Sequence, residues 1–61
     1  MPEIVVYLAE GRARDAKKAL MKDITDAVVK NFGVDAEMVV VQIVESPRDN
    51  KSRGGIPFGE R

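Results

Sequence analysis

Two short apolar runs flank a longer segment in which apolar residues recur at helical spacing. The runs, residues 4–9 and 39–45, are rich in Val, Ile, Tyr and Leu, which favour β-strands. Neither run alternates between apolar and polar side chains, which is typical of strands buried on both faces, as in parallel sheets. The pattern therefore predicts two strands joined by a helix.

The predicted helix covers residues 13–32 and ends before Gly33, a good residue for a helix C-terminus. Asp15 either caps a later start or lies in the first turn, where it complements the helix dipole. The i,i+4 spacing favours an ion pair between Asp26 and Lys30. One face of the helix carries an apolar stripe formed by Ala16, Leu20, Ile24, Ala27 and Val28.

Strand, helix and strand in this order predict a βαβ unit, an α/β fold with parallel strands and a right-handed crossover. We expect residues 1–61 to form a single domain. The tail, residues 46–61, differs in composition from the rest of the chain, because it holds two of the three prolines and three of the five glycines. Gly54 and Gly55 predict a hairpin or tight turn, and residues 56–58 a short edge segment.

A chain of 61 residues is too small to bury a large core by itself. It has no cysteine and no histidine, which excludes disulfides and leaves only carboxylates as metal ligands, so we expect no metal and no cofactor. One helix covers only one face of a two-stranded sheet, whereas both strands are apolar on both faces. The sequence therefore predicts a homo-oligomer that covers the second face.

Ten basic residues balance ten acidic residues. This balance argues against a general nucleic-acid or membrane-surface binder. The apolar run after Met1 is short and is interrupted at its start by Glu3, so it does not resemble a signal peptide. The predicted location is the cytoplasm.

Pro2 is the first candidate for chemistry. If Met1 is removed, Pro2 becomes a free secondary amine, and an α-amino group ordinarily titrates near pH 8, at about 7.7–8.0. An apolar pocket or nearby cations lower the pKa of such an amine, which then suits removal of a proton near a carbonyl group. The alternative is that Pro2 only begins an edge strand, where its missing N–H costs nothing.

The chain resembles the 4-oxalocrotonate tautomerase family. The resemblance spans almost the whole chain and rests on Pro2 before an apolar strand, the turn Glu10-Gly11-Arg12, Lys17, Leu20 and the late Gly54-Gly55 pair. It implies a βαβ subunit, a dimer with a four-stranded sheet and usually a hexamer built as a trimer of dimers. It also implies a tautomerase that isomerises unsaturated 2-oxo acids between enol and keto forms, with Pro2 as the proton shuttle.

The same resemblance gives Arg12 a role in a neighbouring subunit's active site. A guanidinium binds a carboxylate through two parallel hydrogen bonds and stabilises a dienolate. Without the resemblance, Arg12 would be a surface arginine after a turn.

The sequence departs from the family at two positions. Val40 replaces the second arginine of family members that act on dicarboxylates, and Lys51 replaces an aromatic wall residue. One guanidinium favours a monocarboxylate substrate, unless the basic tail binds a second carboxylate. Phe58 either walls the pocket or anchors the tail. The candidate substrate-binding residues are Val40, Arg48, Lys51, Arg53 and Phe58.

Two other functions fit the same pattern. A related enzyme of the superfamily could dehalogenate or hydrate an unsaturated acid, although no residue clearly supplies the carboxylate that activates water. A non-catalytic oligomeric module could keep the fold and lose the chemistry, which the valine at position 40 favours.

Overall fold

In the computed structural model, which describes residues 1–60, strand β1 is Glu3–Ala9, helix α1 is Arg14–Phe32 and strand β2 is Val40–Ser46. A 3₁₀ turn, Ala36–Met38, precedes β2. The tail forms a small hairpin of β3 (Ser52–Arg53) and β4 (Ile56–Pro57), flanked by 3₁₀ turns at Arg48–Asn50 and Phe58–Glu60.

β1 and β2 lie side by side and parallel, with a register from Glu3 opposite Val40 to Ala9 opposite Ser46. The predicted βαβ unit is therefore confirmed. β2 begins one residue later than predicted because the N–H of Val39 closes the preceding turn onto the carbonyl of Ala36, at 3.1 Å. The hydrogen bonds between the two strands start instead with the N–H of Val40, which donates to the carbonyl of Pro2.

The helix also begins one residue late. Ala13 is the N-cap residue, with extended backbone angles and no side-chain capping bond, and Asp15 lies in the first turn. At the other end Gly33 adopts the left-handed conformation, φ 68°, and its N–H bonds to the carbonyl of Val29 at 2.9 Å. This geometry explains why a glycine ends the helix.

Asp26 pairs with Lys22 rather than with Lys30, at 2.9 Å between Nζ and Oδ2. This is a correction to the expected ion pair. The hydrogen bond from Lys22 to the carboxylate of Asp26 raises the pKa of the Lys22 amine, because it stabilises the charged form.

α1 packs on one face of the sheet. Residues that lie opposite each other in the two parallel strands share a face, and successive side chains of a strand alternate between faces. The half-buried side chains on the face under the helix are Ile4, Val6, Leu8, Val41 and Ile43. The opposite face is bare and carries Val5, Tyr7 and Val40, with 40%, 74% and 39% of their surface exposed. The sheet therefore has one covered face and one uncovered, largely apolar face.

The chain is elongated. Its Cα radius of gyration is 14.6 Å, with extents of 43 × 22 × 14 Å. A compact chain of this length has a radius of about 10.5 Å. Within residues 1–60 no side chain is fully buried, so a single chain does not close a hydrophobic core. None of the described helices combines the length and apolarity needed to cross a lipid bilayer.

Candidate active site

Pro2 lies immediately before β1 and is half-buried. Its carbonyl oxygen accepts a hydrogen bond of 2.9 Å from the backbone N–H of Val40. This bond extends the parallel ladder by one step and fixes the backbone of Pro2 at the end of the sheet. Of the predicted site residues, Pro2 and Val40 are therefore brought together within one chain.

Arg12 lies beyond the opposite end of β1, between Gly11, which has φ 121°, and the start of α1. A cavity of about 150 Å³ opens beside it, between the end of β1 and the first turns of the helix. The cavity wall is almost entirely apolar. Its lining residues are Leu8, Arg12, Ala16, Lys17 and Leu20.

Pro2 and Arg12 do not share a site within one chain. The seven residues of β1 separate them, and at roughly 3.3 Å per residue such a strand is about 20 Å long. No side chain bridges that distance. A site that uses both residues must take Pro2 from one subunit and Arg12 from another.

Lys17 connects the helix to β2 beside the cavity. Its Nζ lies 2.9 Å from Oε1 of Glu45, and the two side chains are 27% and 31% exposed. On the far side of this pair a second groove of about 380 Å³ runs between α1 and β2, lined by Arg14, Lys17, Lys18, Met21, Ile43 and Glu45.

The sequence did not predict the ion pair between Lys17 and Glu45, since the two residues are 28 positions apart. The sequence shows only that an acidic residue, Glu45, lies near the end of an apolar strand, and it does not show which cation that residue pairs with. Likewise, Leu8 and Ala16 gave no sign that they would line the cavity beside Arg12.

The tail is held together by Phe58. Its N–H donates to the carbonyl of Lys51 at 2.8 Å, and its ring centroid lies 5.8 Å from Nζ of Lys51 and 5.8 Å from Cζ of Arg53. Such distances allow cation–π attraction. These contacts are those expected of a tail anchor, and the role of Phe58 in the pocket wall stays a prediction.

The tail leaves the sheet at Ser46, opposite Ala9, where Glu10 N–H also bonds to the carbonyl of Ser46 at 2.9 Å. The tail therefore begins at the same end of the sheet as Arg12 and at the opposite end from Pro2. Its first 3₁₀ turn contains Arg48, which is exposed.

Comparison with known proteins shows the family to which this chain belongs. The family model of the tautomerase enzymes matches residues 2–61. This chain belongs to the tautomerase family. A probable tautomerase from Bradyrhizobium diazoefficiens is 56% identical over 61 residues, which are 100% of this chain and 91% of the relative.

Solved tautomerase structures show the same fold. A crystal structure of a 4-oxalocrotonate tautomerase homologue has a TM-score of 0.93 and 31% identity, covering 100% of this chain and 97% of that one. A 4-oxalocrotonate tautomerase from Chloroflexus aurantiacus has a TM-score of 0.88 and 28% identity, covering 98% and 97%, and is a heterohexamer. The βαβ tautomerase fold is thus common to this chain and to these relatives, one of which is a heterohexamer.

Proposed function

We propose that this protein is a tautomerase that interconverts the enol and keto forms of a small unsaturated 2-oxo acid. The observation that carries the proposal is the position of Pro2 in a chain of the tautomerase family. Its carbonyl is fixed by the N–H of Val40, at 2.9 Å. Removal of Met1 would leave its nitrogen as a free amine at the end of the sheet, on a residue whose backbone is bonded to that of Val40.

The proposed reaction moves one proton. The Pro2 nitrogen accepts the proton of the 2-hydroxyl group of the enol, and the electron pair shifts along the conjugated system as the C2 carbonyl forms. The protonated Pro2 then delivers the proton to C3 or C5. The amine returns to its starting form, so the reaction consumes no co-reactant and needs no cofactor.

Arg12 is proposed to bind the substrate carboxylate and to stabilise the negative charge of the dienolate. Because β1 holds Arg12 far from Pro2 of the same chain, the guanidinium must come from a neighbouring subunit. The proposed assembly is a homohexamer built as a trimer of dimers. It is supported by the bare apolar sheet face, the lack of a closed core and the hexameric relative.

The remaining predicted residues are proposed as the outer wall of the same site. The tail begins at the end of the sheet where Arg12 lies. Its cations attract an anionic substrate electrostatically without a fixed bidentate contact. These wall residues are Val40, Arg48, Lys51, Arg53 and Phe58. The proposed location remains the cytoplasm, which cell fractionation checks.

Intact-mass analysis combined with kinetics tests the proposal. Protein that lacks Met1 should convert 2-hydroxydienoates or phenylpyruvate enol, followed by ultraviolet absorbance. Protein that retains Met1 carries an amide at Pro2 and should be nearly inactive. Pro2→Ala keeps an N-terminal amine, though a primary one, and should lower kcat/KM strongly with the oligomer intact. Equal activity of the processed and Met1-retaining forms would exclude Pro2 as the base, and no turnover of any substrate would favour a non-catalytic module.

A further inference from the structure

The cavity beside Arg12 has the size and lining of a site for a flat apolar group. Its volume is about 150 Å³, and Leu8, Ala16 and Leu20 form most of its wall. An apolar cavity of about this volume holds a benzene molecule. In the single chain the cavity is open on one side, so a ligand can enter it without a change of fold.

Two cationic side chains line this cavity, but only one has an uncompensated charge. The carboxylate of Glu45 lies 2.9 Å from Nζ of Lys17 and neutralises it. Glu45 of β2 is opposite Leu8 of β1 in the sheet register, so the strand next to the cavity wall places the carboxylate. Arg12 has no ion-pair partner within the part of the chain that the structure describes.

Among the described residues of the single chain, Arg12 and Lys17 are the only cations that line this cavity. The neighbour that provides Pro2 also brings Val40, which is apolar and lies beside it. None of the described tail residues lines the cavity, and the side chains of Lys51 and Arg53 both lie over the Phe58 ring. The site therefore combines one guanidinium with apolar walls.

We propose that Glu45 is a specificity-determining residue. By forming an ion pair with Lys17, Glu45 leaves Arg12 as the one available cation of the apolar cavity. The cavity then selects a 2-oxo monoacid with a flat apolar substituent over a dicarboxylate. This inference rests on the proposed tautomerase function. Glu45 acts through Lys17 and does not contact the substrate itself.

A matched substrate pair tests the role of Glu45: phenylpyruvate enol as the monoacid and 2-hydroxymuconate as the dicarboxylate. Wild-type protein should prefer the monoacid in kcat/KM. Glu45→Gln frees Lys17 and should move the ratio toward the dicarboxylate by roughly tenfold, the size of one charge-assisted hydrogen bond. The double variant Glu45→Gln/Lys17→Met should restore the wild-type ratio. The matched control Glu37→Gln, an exposed residue of the turn before β2, should leave the ratio unchanged.

Ligand binding tests the cavity without any turnover. Titration followed by NMR should show that trans-cinnamate binds more tightly than trans,trans-muconate. Ala16→Leu, which fills the cavity without weakening the helix, should lower cinnamate affinity at least about tenfold.

Three results would overturn the inference: a wild-type preference for dicarboxylates, an unchanged ratio in Glu45→Gln, or a dicarboxylate preference that Arg48→Ala or Arg53→Ala abolishes. The last result would show that the tail binds a second carboxylate. If cinnamate binds as expected but the processed protein turns over no enol, the proposed function fails while the cavity assignment stands.

Discussion

The backbone N–H of Val40 donates a hydrogen bond of 2.9 Å to the carbonyl oxygen of Pro2. This bond joins the first step of the β1–β2 ladder to the residue proposed as the base. It also makes Val40, an uncharged and partly exposed residue, the ladder neighbour of Pro2, at the position where relatives acting on dicarboxylates are expected to carry an arginine. We therefore expect the identity of residue 40 to affect both the basicity of Pro2 and the charge of the preferred substrate.

Val40→Arg should change both properties. Val40 is 39% exposed, so a longer side chain can extend without entering a closed core. The new guanidinium should lower the pKa of the Pro2 amine, because like charges disfavour its protonated form. It should also raise kcat/KM for a dicarboxylate enol by roughly tenfold. The acidic limb of the kcat/KM pH profile, which should move to lower pH, and the substrate ratio measure the two effects, with Val40→Met as the uncharged control.

The assembly prediction concerns the bare face of the sheet. Tyr7 is 74% exposed on this face in the single chain. We expect the face to be buried between subunits, so Tyr7→Glu should place a charge in the interface and produce smaller species. Sedimentation equilibrium measures the change, with Glu37→Lys as a charge-altering control away from the sheet. A stable folded wild-type monomer at micromolar concentration would contradict the predicted oligomer.

Arg12→Ala should impair substrate recognition. A charge-assisted hydrogen bond contributes about 1.5–3 kcal/mol, which corresponds to a loss of roughly ten- to a hundredfold in kcat/KM on a monoacid. Arg12→Lys should recover only part of this loss, because an ammonium group cannot make the bidentate contact. Arg14→Ala is the control of the same residue type, since Arg14 does not line the cavity beside Arg12. Equal losses in both variants would indicate a general charge effect.

Phe58→Leu tests how the tail is held. The variant keeps an apolar anchor but removes the ring that lies 5.8 Å from the cationic groups of Lys51 and Arg53. Exposed cation–π contacts contribute about 0.5–1 kcal/mol each, and these distances are near the outer limit. The free energy of unfolding should therefore fall by about 1 kcal/mol at fixed protein concentration. A double-mutant cycle with Lys51→Met isolates one contact, and a coupling energy of zero would show that the ring does not hold that lysine.

The sequence by itself determined the fold and the last residues of β1 and α1. Apolar runs of strand length, a helical stripe and the position of Gly33 were sufficient because strands and helices depend on local pattern and backbone conformation. The first residue of each element shifted by one position, since the turn before β2 uses the N–H of Val39 and α1 takes Ala13 as its cap. Pro2 was a candidate from its place after Met1 and the chemistry of a free amine, whereas the role of Arg12 came from the family resemblance.

Only the tertiary structure decided which side chains meet. The pairing of Lys17 with Glu45 depends on how α1 crosses the sheet, and two charges 28 positions apart carry no local signal of contact. The contacts of Phe58 with Lys51 and Arg53 likewise depend on the hairpin at Gly54 and Gly55. The separation of Pro2 from Arg12 follows from the extended length of β1, because a strand holds its two ends apart. That geometry is why the proposed site requires more than one chain.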